Sequence, residues 1–181
     1  GKGAYIQKNE AKGNYVVGST LCLNLKNIDK IPAFYNPEGA RGEDAFFSIG
    51  FTDTKIIKVP VYHFHDGFLK YTGIIRRNYP KTLRKIKATD EEVEQRFLKA
   101  STGWIRYKPL LLYITDNENY KEKIKINHEK LKKSIPEVNK LFHDNAFDIL
   151  LEDFEQCEKN VQKHYNEFVR VNEIWDKLKR M

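Results

Sequence analysis

The sequence contains little cysteine and no long apolar run. Its two cysteines, Cys22 and Cys157, are far apart and fit neither a metal-binding nor a redox spacing. We therefore expect two buried thiols, a reducing compartment and a cytoplasmic protein. No stretch reaches the roughly 18 apolar residues that predict a membrane-spanning helix, and the first residues do not have the pattern of a signal peptide.

Several motif classes are absent as well. We find no internal repeat, no phosphate-binding loop of the Walker type and no nucleophile motif around a serine or cysteine. The sequence also lacks the signatures of the common nucleic-acid-binding modules, which argues against a specific nucleic-acid partner. What it does have is 40% hydrophobic residues, enough for a core, and a net charge of +7. That charge can attract phosphorylated small molecules or anionic polymers and lipids, or it can reflect a solvated basic surface.

The first part of the chain, residues 1–68, predicts a mixed α/β structure. Tyr15–Leu25 and Lys55–Tyr62 are rich in β-branched and apolar residues, which is typical of strands. Between them, Asn36–Gly39 predicts a turn, and Glu43–Gly50 predicts a short helix with an apolar face.

The second part, residues 69–181, predicts a mainly helical extension. Asp90–Lys99 has a helical pattern, Trp104–Ile114 is compatible with helix or strand, and Pro136 predicts a break. A stripe of apolar residues from Leu150 to Leu178 then predicts one long amphipathic helix. Its apolar face must pack on the same domain, which we favour, or on a second chain.

Two adjacent carboxylates follow a glycine in the run Arg41-Gly42-Glu43-Asp44. At the start of a helix, backbone N–H groups hold a carboxylate ionised and oriented, so such a group can act as a general base. Stabilisation of the helix start is the alternative role, and the run by itself favours it.

Two histidines follow the second predicted strand, in the run His63-Phe64-His65-Asp66. Residues two apart on a strand point to the same face, so His63 and His65 can converge. Together with Asp66 they could offer nitrogen and oxygen ligands to a divalent ion. A purely structural role for the histidines is the alternative.

The order of these motifs, over about residues 13 to 70, resembles the second half of the GT-A glycosyltransferases. The likeness is to the large inverting family two and to the galactosyltransferase type with its Gly-Glu-Asp run. It implies an α/β fold, the C-terminal part of a nucleotide-diphospho-sugar transferase, followed by the helical extension. It also implies transfer of a sugar from a nucleotide diphosphate donor to an acceptor hydroxyl, with inversion.

The resemblance also assigns roles to residues. Asp44 would deprotonate the attacking hydroxyl and Glu43 would bind the acceptor, with Arg41 and Gly42 beside them in the substrate site. His65, or else His63, would help to hold the Mn²⁺ or Mg²⁺ that assists the leaving diphosphate.

The donor side is less complete in this chain. The resemblance implies that Asp66, Arg76 and Arg77 contact the substrate, and the basic segment Tyr71–Lys81 could close over the diphosphate or simply be a solvated surface. The family's Asp-X-Asp motif and its nucleotide-binding units are not found here. We therefore expect a donor-binding half outside this chain, and no activity from the chain by itself.

Three other functions agree with parts of the sequence. One is a non-catalytic basic module that binds nucleic acid or another anionic polymer. Another is a metal-dependent hydrolase that uses His63, His65, Asp66 and Asp44. The third is assembly of a homo-oligomer through residues 138–180. In addition, the mixture of aromatic and basic residues at Trp104–Lys108 is compatible with peripheral membrane contact.

Overall fold

The computed structural model describes residues 21, 23–51 and 91–181. Within these ranges the protein consists of helices and connecting loops, with no strand. The helices are α1 (Glu43–Ile49), α2 (Glu91–Thr115), α3 (Tyr120–Phe142), α4 (Ile149–Lys159) and α5 (Val161–Lys179), together with the short 3₁₀ helices Leu25–Lys30 and Ala146–Asp148.

The predicted α/β fold of the GT-A type is therefore wrong for the part of the chain that the structure describes. The end of the predicted strand Tyr15–Leu25 leads into the 3₁₀ helix Leu25–Lys30, where the Asn24 side chain accepts a hydrogen bond from the Lys26 N–H at 3.1 Å. This local bond between side chain and backbone offers the chain an alternative to strand pairing. The rest of that predicted strand, and all of Lys55–Tyr62, lie outside the described residues.

Helices α2, α3 and α4 pack together around large apolar side chains. Leu110 and Phe154 are each 1% exposed and share a core with Ile124. The run Trp104–Ile114, whose sequence is compatible with helix or strand, is helical, and the helix continues through Pro109. Burial of the adjacent Leu110 favours one packed helix because packing of an apolar face supplies most of the stability of helices in proteins.

The break predicted at Pro136 is also wrong, because α3 continues through it to Phe142. A proline inside a helix costs about 3 kcal/mol. Two features on either side offset that cost. Ile135 and Phe142 are buried in one apolar cluster, and the buried Asn139 side chain donates to Asp148 at 2.7 Å. The helix ends only at His143, whose φ of 58° is left-handed.

The C-terminal stripe forms two helices rather than the one long helix that we predicted. α4 ends at Lys159 and α5 begins at Val161. Phe154 and Val161 are buried in the main core, and Tyr165 and Phe168 pack against it, which confirms the preference for packing on the same domain. Leu178, at the end of the stripe, is 53% exposed.

The described residues before position 51 lie on this helical body. Tyr35 and Phe46 belong to the same core as Leu110 and Phe154, although they come from the other side of the boundary predicted at residue 68. Farther along, the Trp175 indole N–H donates to the Ile31 carbonyl at 2.7 Å. This shared core places α1 in a fixed position against the helices.

Candidate functional site

The loop that leads into α1 is held by its own hydrogen bonds. The Asn36 side chain donates to the Ala40 carbonyl at 2.6 Å and accepts from the Gly42 N–H at 2.8 Å. Between these two hydrogen bonds the Ala40 N–H donates to the Pro37 carbonyl. Gly39 has a φ of +68°, which glycine adopts without strain. The turn predicted at Asn36–Gly39 is confirmed, and its side-chain bond sets the position of Gly42.

The same loop is seated on α2. The Arg41 N–H donates to the Gly103 carbonyl at 2.8 Å. Gly42 lies so close to α2 that a Cβ built on it would be 2.4 Å from Cγ of Tyr107. Arg106 supports the seat from the side, because its guanidinium donates to the Gly39 carbonyl at 3.5 Å and also binds the Asp153 carboxylate of α4 at 3.0 Å. The backbone that precedes the two carboxylates is therefore fixed from both sides.

Glu43 and Asp44 form the first turn of α1, as predicted. Glu43 is exposed and Asp44 is half-buried. The opposite side of the helix is apolar: Phe46 is 1% and Phe47 0% exposed, and Ile49 is half-buried. The predicted helix with a core-facing side is confirmed, and Gly50 follows its last residue.

The other predicted site residues lie outside the described residues. These are His63, His65, Asp66, Arg76 and Arg77. Within residues 21, 23–51 and 91–181, His, Cys, Asp and Glu form no group of three that could hold a metal ion. The predicted Mn²⁺ or Mg²⁺ site stays a prediction. Of the residues assigned to the site, the structure brings together Arg41, Gly42, Glu43 and Asp44, which are neighbours in sequence.

The contact of Gly42 with Tyr107 leads to a first prediction. We expect Gly42→Ala to lower the free energy of unfolding by about 1–3 kcal/mol, the usual cost of forcing an extra methyl group into a packed site. The φ of Gly42 is −122°, a value that alanine also adopts, so the cost comes from the steric contact and not from the backbone.

Urea denaturation of Gly42→Ala, Tyr107→Ala and the double variant measures this effect. The double variant should be more stable than the sum of the two single effects predicts, since removal of the ring makes room for the methyl group. Strict additivity would contradict the seat of Gly42 on Tyr107.

A second polar cluster, which the sequence analysis did not single out, joins residues 31–51 to α5. The Tyr35 hydroxyl donates to the His164 carbonyl at 3.1 Å. Burial, and then the Glu167 carboxylate, raise the pKa of Tyr35 well above its ordinary value. Burial lowers the pKa of His164, whose buried Nδ1 has no hydrogen-bond partner among the residues that the structure describes. No sequence motif marks these residues, because their contact spans 129 positions.

A third cluster lies where the start of α2 meets the end of α3. Glu94 is only 7% exposed, and burial, followed by the nearby Asp144 carboxylate, raises its pKa above the ordinary value of 4.5. The folded protein therefore keeps a proton on Glu94 at pH values where the unfolded chain has lost it. Stability contributed by this carboxyl is present below pH 4.5 and is lost as pH rises through the higher, folded-state pKa.

We therefore expect Glu94→Gln to raise the melting temperature at pH 7. The glutamine is neutral at every pH, so it removes the charge that is unfavourable beside Asp144. The gain should shrink toward pH 4, where the native glutamate also becomes protonated. Thermal unfolding at both pH values measures it, with the exposed Glu137→Gln as the control that leaves the melting temperature unchanged. A larger gain in melting temperature at pH 4 than at pH 7 would contradict the raised pKa of Glu94.

None of the described helices combines the length and the apolar character that crossing a membrane requires. No family model, curated protein or solved structure is detectably similar to the chain, so the geometry around α1 and the sequence motifs carry the functional argument.

Proposed function

We propose that this chain supplies the acceptor-side acids of a glycosyltransferase. The observation that carries the proposal is the seat of the Arg41-Gly42-Glu43-Asp44 run on α2, which fixes the backbone from which the two acids of the first turn of α1 extend. A general base works only when it is held within hydrogen-bonding reach of the proton that it takes. A backbone fixed on both sides of Gly42 meets that need.

In the proposed reaction, the acceptor hydroxyl binds at the start of α1. Glu43 orients the hydroxyl, and Asp44 takes its proton as the oxygen attacks the anomeric carbon of the donor sugar. The bond between that carbon and the diphosphate breaks on the opposite side, so the configuration inverts. A divalent cation held through His65 or His63 would neutralise the departing diphosphate.

The apolar side of α1 supports the same role. Phe46 makes edge contacts with Tyr35 and Tyr107 and lies 5.9 Å from the ring of Phe168. These contacts resist rotation of the short helix about its own axis, which would move the carboxylates. The arrangement holds the proposed base still before substrate arrives, and such preorganisation lowers the barrier of a transfer reaction.

Turnover of nucleotide sugars by the full-length protein tests the proposal. UDP-, GDP- and dTDP-linked sugars are each incubated with Mn²⁺ and a mixture of hydroxyl acceptors, and release of the nucleoside diphosphate is measured. We expect release with one donor class and its loss with a chelator. No release from any donor, together with salt-dependent binding to generic DNA, would favour the basic binding module instead.

Calorimetry of this chain by itself with Mn²⁺ alone distinguishes the hydrolase alternative. A hydrolase that uses His63, His65, Asp66 and Asp44 holds all its ligands in this chain, so it should bind the metal tightly without nucleotide. Glycosyl transfer predicts weak metal binding until the donor diphosphate adds its oxygen ligands. Tight binding by the chain alone would therefore contradict the proposed function.

A further inference from the structure

Helices α2 and α3 leave a shallow groove on their outer side. Ser101 and Trp104 of α2 line it together with Ser134, Ile135 and Val138 of α3, and its volume is about 210 Å³. It lies on a side of α2 away from the contact with α1, because Tyr107 and Arg106 turn toward Gly42 and Asp153. The segment Trp104–Lys108, which the sequence groups together, is thus divided between two surfaces.

Exposed apolar side chains extend this groove. Trp104 is 57% exposed and Leu141 is 55% exposed, while Phe97 is 45% exposed and its ring lies 5.9 Å from the ring of Phe142. Phe97 lies 7 residues before Trp104 and Leu141 lies 7 residues after Ser134, so each falls on the same helix stripe as the groove. We call Phe97, Trp104 and Leu141, with the groove between them, the apolar strip.

Lysines border the apolar strip. Lys108 follows Trp104 by one turn of α2, and Lys130 precedes Ser134 by one turn of α3. Lys133 and Lys140 are exposed on the adjoining side of α3, where Glu137 is the acid between them. Over its whole length α3 carries seven lysines and three glutamates. Lysines therefore flank the apolar strip along α3 and beside Trp104, while the Glu94 and Asp144 carboxyls lie at the end of the strip where the start of α2 meets the end of α3.

We propose that the apolar strip docks on an anionic lipid surface. Phosphate groups of lipids would contact the lysines, while Trp104, Phe97 and Leu141 enter the boundary between headgroups and acyl chains. Tryptophan suits that boundary because its ring is apolar and its N–H is polar. The docking surface is separate from α1 and does not depend on the proposed glycosyl transfer.

Other occupants suit the apolar strip less well. A second copy in a two-fold dimer would bring the same patch against itself, so the lysine margins of both copies would lie in one interface. A nucleic acid would use Trp104 and the lysines, but a base has no ring to stack on at Leu141. An anionic lipid surface is the partner that satisfies both the apolar side chains and the lysines.

Vesicle binding tests the docking surface. The full-length protein is sedimented with phosphatidylcholine vesicles that contain or lack phosphatidylglycerol. We expect binding only where the anionic lipid is present. Trp104→Ala should weaken it at least tenfold, since an indole buries a large apolar area at the boundary. The double reversal Lys130→Glu/Lys133→Glu should weaken it about a hundredfold, and the control Lys163→Glu/Lys177→Glu on α5 much less.

The emission of Trp104 gives a second readout. The sequence has two tryptophans, so Trp175→Phe leaves Trp104 as the sole emitter, and its emission should shift to the blue on anionic vesicles. Trp175 is half-buried and bonded to Ile31. If its replacement prevents folding, the difference between wild-type and Trp104→Phe spectra provides the same signal.

Several outcomes would overturn the docking surface. Lack of sedimentation with anionic vesicles is the first, and binding that leaves the Trp104 emission unchanged is the second. A dimer in sedimentation equilibrium that Trp104→Ala abolishes would assign the strip to a second copy. Tight binding of single-stranded DNA that depends on Trp104, without vesicle binding, would assign it to nucleic acid.

Discussion

Replacement of Asp44 by asparagine should reduce turnover by about 10²- to 10⁴-fold, the usual contribution of a positioned general base. Asparagine has nearly the same shape but cannot accept the proton of an attacking hydroxyl at neutral pH. The Asp44 backbone carbonyl, which accepts from the Ser48 hydroxyl at 2.5 Å, is unchanged in the variant. We expect α1 to keep its position, because the buried Phe46 and Phe47 anchor it in the core, and the nucleotide sugar to bind with normal affinity.

Steady-state kinetics measure the turnover of Asp44→Asn, and calorimetric titration measures its affinity for the donor. Glu43→Gln should raise the KM of the acceptor more than it lowers kcat, since Glu43 is assigned to binding. Glu38→Gln is the matched control, because Glu38 is exposed in the loop that precedes α1 and has no assigned role. Near-normal turnover of Asp44→Asn would remove the base assignment, and a loss of donor affinity would point to a structural role for Asp44.

The local structure around the candidate site could be read from the sequence. The residues of Asn36–Gly39 include the proline and glycine that favour a turn. Glu43–Gly50 begins with two acids, which favour a helix start, and contains two phenylalanines that are buried. Each involves residues within a few positions of one another, so short-range backbone chemistry determines it.

The seat of the site on α2 could not be read in the same way. Gly42 packs on Tyr107 and Arg41 bonds to Gly103, contacts that join residues more than 60 positions apart. No residue pattern identifies such a pair. The α/β fold failed for a related reason: it was taken from the order of motifs, while the described residues follow the helical spacing of their apolar side chains.

Pro136 and the C-terminal stripe also show that local sequence does not determine where a helix ends. Pro136 predicts a break from local chemistry alone, but the burial of Ile135 and Phe142 keeps α3 intact. Conversely, the continuous stripe from Leu150 to Leu178 does not reveal the end of a helix at Asn160, since both helices bury the same face. Periodicity identified which side is buried, and tertiary packing decided where each helix ends.

Phe46→Ala should lower the free energy of unfolding by about 3–5 kcal/mol, the range measured for removal of a buried phenylalanine ring. Phe46 is 1% exposed and is in contact with the rings of Tyr35, Tyr107 and Phe168, so removal of its ring leaves a cavity inside the core. A loss of this size is a large share of the roughly 5–15 kcal/mol that stabilises a domain.

Phe34→Ala is the matched control, because Phe34 is 53% exposed and stacks on Phe47 at 3.9 Å. Its removal should cost about 0.5–1.5 kcal/mol, the worth of an aromatic pair. Urea denaturation measures both variants, and equal costs would contradict the anchoring of α1 through Phe46. Because Phe46 follows Asp44 by two residues, loss of this anchor should also lower turnover at urea concentrations where the rest of the protein is still folded. The core contact and the chemistry of the carboxylates would then depend on the same seven-residue helix.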